Sequence, residues 1–163
     1  MKNRKKAIKV EPLIFDTYLA AVKNSRGVKL FRDNFALISG KRKNITEGGR
    51  ISCAFFVSSI LLIFCLVKKM HVTVDGTIKD MEESGWKKIK KPKPGAVLVW
   101  EAQKFSDVFH KHLGFYLGEG KAISNNYKKR FPDIHDWKFA GARKLESIWW
   151  HNKLKRKMPH DFK

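Results

Sequence analysis

The sequence predicts an α+β domain, with helices in the first half and an antiparallel sheet in the second. Two observations carry this. Residues Ile51 to Val67 (ISCAFFVSSILLIFCLV) form an apolar run in which Ser58 and Ser59 are the only polar residues between Ala54 and Cys65. A run of this kind reads as a helix without a polar face, buried in a core. From Gly95 the pattern changes to short β-rich segments, Ala96–Trp100, His112–Gly118 and Lys121–Asn125, punctuated by turn residues.

Taken in order, residues 1–11 read as a loose basic arm. Pro12 to Lys23 reads as a short helix with Asp16 as its candidate N-cap and Asn24-Ser25-Arg26-Gly27 as its stop. Val28 to Leu37 fits helix or irregular chain, and the Gly-flanked basic stretch Gly40 to Gly49 reads as a loop. Gly48-Gly49-Arg50-Ile51-Ser52-Cys53 then runs from loop into helix, with Ser52 as N-cap. The run Ile51–Val67, 17 residues including serines, lies at the short limit for crossing a bilayer of ~30 Å, and basic residues flank both ends, so a buried core helix is expected rather than a membrane span. Gly76 to Ser84 reads as a short surface helix closed by Gly85, after which Trp86 turns inward. Lys87–Pro94 is expected as a solvated connector, Ala102–Lys111 as a loop, Glu119-Gly120 as a hairpin turn and Tyr127–Pro132 as a basic loop. Asp136–Phe139 and Ser147–Trp150 are candidate strands, and the chain ends in a basic arm, 152–163. The whole, 1–163, reads as a single domain.

Composition narrows the function classes. Hydrophobic content of 43% with 12% aromatic excludes an intrinsically disordered chain. A formal charge of +20, from 35 Lys+Arg against 15 Asp+Glu, favours anionic partners: nucleic acid, acidic wall polymers or anionic lipid. No RRM, KH, zinc-finger or helix-turn-helix signature accompanies that charge, so nonspecific binding is the nucleic-acid expectation. On one helix Cys53 and Cys65 would stand ~18 Å apart, beyond the ~7 Å a disulfide tolerates. The basic start MKNRKKAIKVEPLIF has no apolar h-region, so no signal peptide is read and a cytoplasmic chain is the default.

Cysteine in the first turn of a helix sits at the positive end of the helix dipole, which is expected to lower the Cys53 pKa toward the thiolate. A thiol nucleophile needs a base and a group that orients the base. Here the order is cysteine at a helix start, a Pro-Gly-led strand, then histidine opening a strand. Ser52-Cys53-Ala54-Phe55-Phe56-Val57, Pro94-Gly95-Ala96-Val97-Leu98-Val99-Trp100 and His112-Leu113-Gly114-Phe115-Tyr116-Leu117-Gly118 carry that order. Together they resemble the papain-like cell-wall hydrolases, the NlpC-like cysteine peptidases and the related CHAP amidases. Across less than half the chain, they match the family's Asp-Cys-Ser-Gly-Phe-Val, Gly-Asp-Leu-Val-Phe-Phe and His-Val-Gly-Ile-Tyr-Leu-Gly patterns. The resemblance implies a papain-like domain with a buried central helix packed on an antiparallel sheet. It implies amide or peptide hydrolysis through an acyl-enzyme, with peptidoglycan stem peptides as substrate, no organic cofactor and no metal. Action on the cell wall would then need export by a route other than a signal peptide.

Cys53 is the expected nucleophile and His112 the expected imidazole. The third member is open between Asn125 and Ser124. A turn of Glu119-Gly120 alone sets His112 opposite Tyr127 and puts Asn125 on the histidine's face; one more loop residue puts Ser124 there instead. The family's spacing lands on Ser124, whereas the Asn125 amide oxygen is the firmer acceptor. The chain departs from the family at Ser52, Ala54 and Phe55, and it has no tyrosine shortly before Cys53 to bind the oxyanion. A non-enzymatic basic protein on the same fold, binding nucleic acid or anionic polymers, is therefore the alternative. His110-x-His112, with His135 and Cys53, has no fixed ligand spacing for zinc. His71, His151 and His160 are expected on the surface, and Trp137, Trp149 and Trp150 in the core.

Overall fold

The computed structural model describes residues 8–105 and 108–155. The arm at 1–7 and the tail at 156–163 lie outside the described residues. Helix α1 spans Ile14–Asn24, with Leu13 at the N-cap position. Asp16 therefore stands inside the first turn, where its charge meets the positive end of the helix dipole instead of capping it. Tyr18 and Val22, one turn apart, are fully buried, and the Tyr18 hydroxyl donates to the Gly95 carbonyl at 2.7 Å.

The stretch read as irregular chain and loop contains a hairpin. Strand β1 (Phe35–Ile38) pairs with β2 (Lys41–Asn44), with Ile38 opposite Lys41. Ser39 and Gly40 both take positive φ, the geometry of a two-residue hairpin turn. The pattern hid it because most of both strands is exposed, so no alternation marks a buried face.

Helix α2 spans Cys53–Ile63. It stops short of Val67 because the chain turns left-handed at Cys65 (φ 52°). There Cys65 N–H reaches the Leu62 carbonyl and Leu66 N–H the Leu61 carbonyl, which is a Schellman closure. The two cysteines thus do not share one helix, and both are free thiols. Burial on all sides holds from Ala54 to Leu61 apart from the half-buried Phe55, and fails at Ile63, which is 65% exposed. Among the described residues no helix is long and apolar enough to cross a membrane. Helix α3 (Val74–Glu83) starts at Thr73, whose hydroxyl accepts from Gly76 N–H at 3.2 Å. It ends in the same closure with Gly85 in the left-handed position. Trp86 is 1% exposed and donates to the Leu66 carbonyl at 2.8 Å.

Six antiparallel strands make the main sheet: β3 (Lys87–Lys88), β4 (Val97–Phe105), β5 (Val108–Gly118), β6 (Lys121–Asn126), β7 (Phe131–Asp136) and β8 (Leu145–Trp150). Their spatial order is β3-β8-β4-β5-β6-β7. The β4–β5 pairing continues to Phe105 opposite Val108, through the stretch expected as a loop. Phe131–Asp136 is a strand, whereas Asp136–Phe139 turns into a short 3-10 helix, Phe139–Gly141. Trp149 and Trp150 are buried, and Trp137 packs at the core's edge. Helix α2 lies on β5 and β6, with Phe56 edge-on to Phe115 at 5.5 Å between ring centroids. The class is α+β, with the cysteine-led helix α2 laid on an antiparallel sheet.

Candidate active site

Cys53 is the first residue of α2, half-buried, with Ser52 at the N-cap position. Backbone N–H groups of Leu113, Ala54 and Cys53 itself, and the charge of Arg143, act to lower its thiol pKa. Burial acts the other way and is the largest effect, so the pKa is raised. The expected dipole-stabilised thiolate is thus corrected: loss of hydration outweighs the helix terminus, and Cys53 rests as a thiol. Contact with Leu113 places the sulfur beside the residue that follows His112 on β5. Among the described residues, the hydrogen bonds of His112 do not include one to Cys53.

The His112 side chain stands opposite Trp100 in the β4–β5 register, with ring centroids 5.5 Å apart. Its Nε2 lies 2.8 Å from Ser124 Oγ. Ser124 Oγ lies 2.8 Å from His135 Nε2, and His135 Nδ1 lies 2.7 Å from the Asp136 carbonyl. Burial, then the charges of Arg143 and His135, hold the His112 pKa down to about 3; burial also lowers that of His135. Both rings are neutral at neutral pH, and that settles the direction of the chain. A carbonyl only accepts, so His135 Nδ1 carries its proton and its Nε2 accepts from the Ser124 hydroxyl. Ser124 in turn accepts from His112 Nε2–H, which leaves His112 Nδ1 as a free lone pair.

Register explains why Ser124 occupies this place. Gly118 pairs with Lys121 across the Glu119-Gly120 turn, but a bulge between Tyr116 and Gly118 adds one residue, so Gly114 pairs with Ser124. That shift puts Ser124 on the histidine's face. It also corrects the Asn125 alternative: Asn125 faces away and donates its Nδ2 to the Gly49 carbonyl at 2.8 Å, tying β6 to the loop that leads into Cys53. Gly114 permits the close approach. A Cβ on it would lie 2.6 Å from the Ile123 carbonyl oxygen and 2.7 Å from Ser124 Cβ.

Two residues that act on His112 lie outside the four expected from the sequence. His135, a candidate metal ligand and the next candidate after Asn125 and Ser124 to orient His112, closes the Ser124 chain and stacks on Phe139 at 4.1 Å. Arg143 carries no motif, being delivered by the β7–β8 loop. His71, expected on the surface, is instead bonded to the buried Asp80 at 2.8 Å. Its signal was the preceding apolar run, which must be tied down where it ends. No group of three or more His, Cys, Asp or Glu side chains among the described residues is arranged to hold a metal.

No family model matches the sequence, and no curated protein matches it. Among solved structures, the chain is similar to NlpC2 from Trichomonas vaginalis, at 17% identity and a TM-score of 0.49. The match covers 87% of this chain and 50% of that one, so this chain spans half the length of the structure it resembles.

Proposed function

We propose that the protein is a thiol hydrolase that cleaves amide bonds in peptides, with peptidoglycan stem peptides as the substrate class. The observation that carries this reading is the directed hydrogen-bond chain, which leaves the Nδ1 lone pair of His112 free one residue from the Leu113 N–H at the Cys53 sulfur. In this reading the resting pair is neutral. The Cys53 proton passes to His112 Nδ1 as sulfur attacks the scissile carbonyl, and the N–H groups of Cys53 and Ala54 at the helix start receive the oxyanion. The imidazolium returns its proton to the departing amine. Water then attacks the thioester, losing a proton to His112, and releases the acid with the thiol restored. Ser124 holds the ring throughout. The choice of substrate rests on the motif resemblance, and a net charge of +20 suits an anionic polymer.

Incubation with purified peptidoglycan and mass analysis of the soluble fragments tests the reading. Wild-type protein is expected to release stem-peptide fragments and Cys53→Ala none; release by both, or by neither, overturns it. The exposed basic residues Lys41, Arg42 and Lys43 of the β1–β2 hairpin favour a second reading, a binding protein for anionic polymers. That reading predicts steeply salt-dependent retention on nucleic acid, unchanged in Cys53→Ala, and no fragment release.

A further inference from the structure

The loop between β7 and β8 passes through three successive positive-φ residues, Phe139, Ala140 and Gly141, and returns Arg143 toward the sheet. Arg143 Nε donates to the Glu101 carbonyl at 2.9 Å and Nη2 to the His110 carbonyl at 2.5 Å. Both carbonyls lie at the β4–β5 bulge, where the register moves from Trp100–His112 to Gln103–His110. The guanidinium is therefore pinned to the two strands beside His112 and is half-buried there. Its Nη1 has no acceptor among the described residues. Glu101, the nearby carboxylate, accepts instead from Lys144 N–H at 3.2 Å. The Arg143 charge acts on both Cys53 and His112.

We propose that Arg143 is the anion-recognition residue of this site, its Nη1 taking a carboxylate that the substrate carries beside the scissile amide. A fixed guanidinium with a vacant donor edge suits planar, oxygen-rich anions better than an ammonium would. Pairing with a carboxylate also cancels the positive charge that disfavours imidazolium at His112. Substrates bearing that anion would therefore raise the basicity of the group that deprotonates Cys53. The substrate part rests on the hydrolase reading; the anion site does not.

Paired alkylation of Cys53 separates the two. In a Cys65→Ser background, the Cys53 rates with iodoacetate and with iodoacetamide are measured at one pH and ionic strength. The ratio of anionic to neutral reagent is expected to fall roughly three- to tenfold in Arg143→Gln, as the loss of one nearby charge implies. It should largely recover in Arg143→Lys. Arg42→Gln, which removes an equal charge from the exposed hairpin, should leave it unchanged. An unchanged ratio in Arg143→Gln, or an equal fall in Arg42→Gln, overturns the proposal. Alkylation needs no turnover, so a fall in the ratio without peptide hydrolysis retains the anion site and removes the hydrolase reading. Hydrolysis with an unchanged ratio does the reverse.

Discussion

Two half-buried histidine networks, one around His71 and one around His112, are built to opposite ends. In the first, His71 Nε2 meets Asp80 Oδ2 at 2.8 Å. Asp80 also accepts from Lys68 N–H, Lys69 N–H and the Ser84 hydroxyl. His71 N–H donates to Ser58 Oγ at 2.8 Å, and Ser58 returns its proton to the His71 carbonyl. In the second, His112, Ser124 and His135 hold no carboxylate between them and end on a backbone carbonyl. Burial raises the Asp80 pKa, but the bonds from His71, Lys68, Ser84 and Lys69 together bring it down to about 2. The first network is a charge clamped by every donor around it. It fastens the segment after α2 to α3 and leaves nothing to transfer. The second is neutral, has one direction, and keeps a lone pair unused. Histidine beside a carboxylate is the more familiar catalytic sign, yet here that pair fits a structural role.

Removing the clamp should have the largest effect. Asp80→Ala strands several buried donors and is expected to cost about 3 kcal/mol in denaturant unfolding. The Cys53 alkylation rate of the folded protein should stay unchanged. A cost below about 1 kcal/mol would break the contrast between the networks.

Acid should separate them next. Asp80 has a depressed folded pKa, so it contributes roughly 2 kcal/mol that is present above its unfolded pKa and lost as pH falls from about 4 to about 2. His112 is neutral in the folded state down to about 3, while the unfolded chain takes up a proton near 6.5. Its contribution to stability is therefore complete above pH 6.5 and declines toward pH 3. Unfolding free energy measured from pH 7 to 3 should slope through the whole range in wild type. His112→Gln should flatten the limb between 6.5 and 4 and leave the lower one. A slope unaffected by that change would place the acid sensitivity elsewhere.

Under the proposed hydrolysis, Ser124 and His135 should act on rate more than on stability. Ser124→Ala and His135→Ala are each expected to lower turnover about tenfold or more, with Cys53 still open to alkylation. Nitrogen-15 shifts of the His112 ring should change from the fixed Nε2–H tautomer to a mixture. Asn125→Ala should leave that tautomer alone and cost about 1 kcal/mol of stability through the lost bond to Gly49. A tautomer change in Asn125→Ala alone would reverse the assignment.

The smallest effect concerns the two helix ends. Gly85 and Cys65 occupy the same left-handed closing position on α3 and α2. Cys65→Gly should raise stability by about 1 kcal/mol in thermal or denaturant melts, because a side chain is strained at that φ. No gain would mean that the Cys65 side chain contributes packing its exposure does not suggest.

Local chemistry made several features legible without a structure. The apolar run had to be a helix, because its continuity leaves no strand alternation. Loop residues before Ser52 had to put Cys53 at its start. Gly85 closes a helix wherever it follows one, since glycine takes the left-handed turn freely. The HLGFYLG and Ala96–Trp100 segments read as strands from their own composition. Folded context decided the rest. One bulge at Tyr116–Gly118 put Ser124 instead of Asn125 on the histidine's face, because a single residue exchanges the faces of a strand. The Cys53 protonation state followed from burial against β5, which outweighs a helix terminus that is visible in the sequence. Arg143 and His135 reach His112 only because β4, β5, β6 and β7 lie side by side, and no short-range pattern records which strands become neighbours. His71 became an inside residue because Asp80, nine positions on, needed a buried donor. Composition and periodicity set what each segment becomes, while protonation, tautomer and partner depend on what the finished fold brings within a few ångströms.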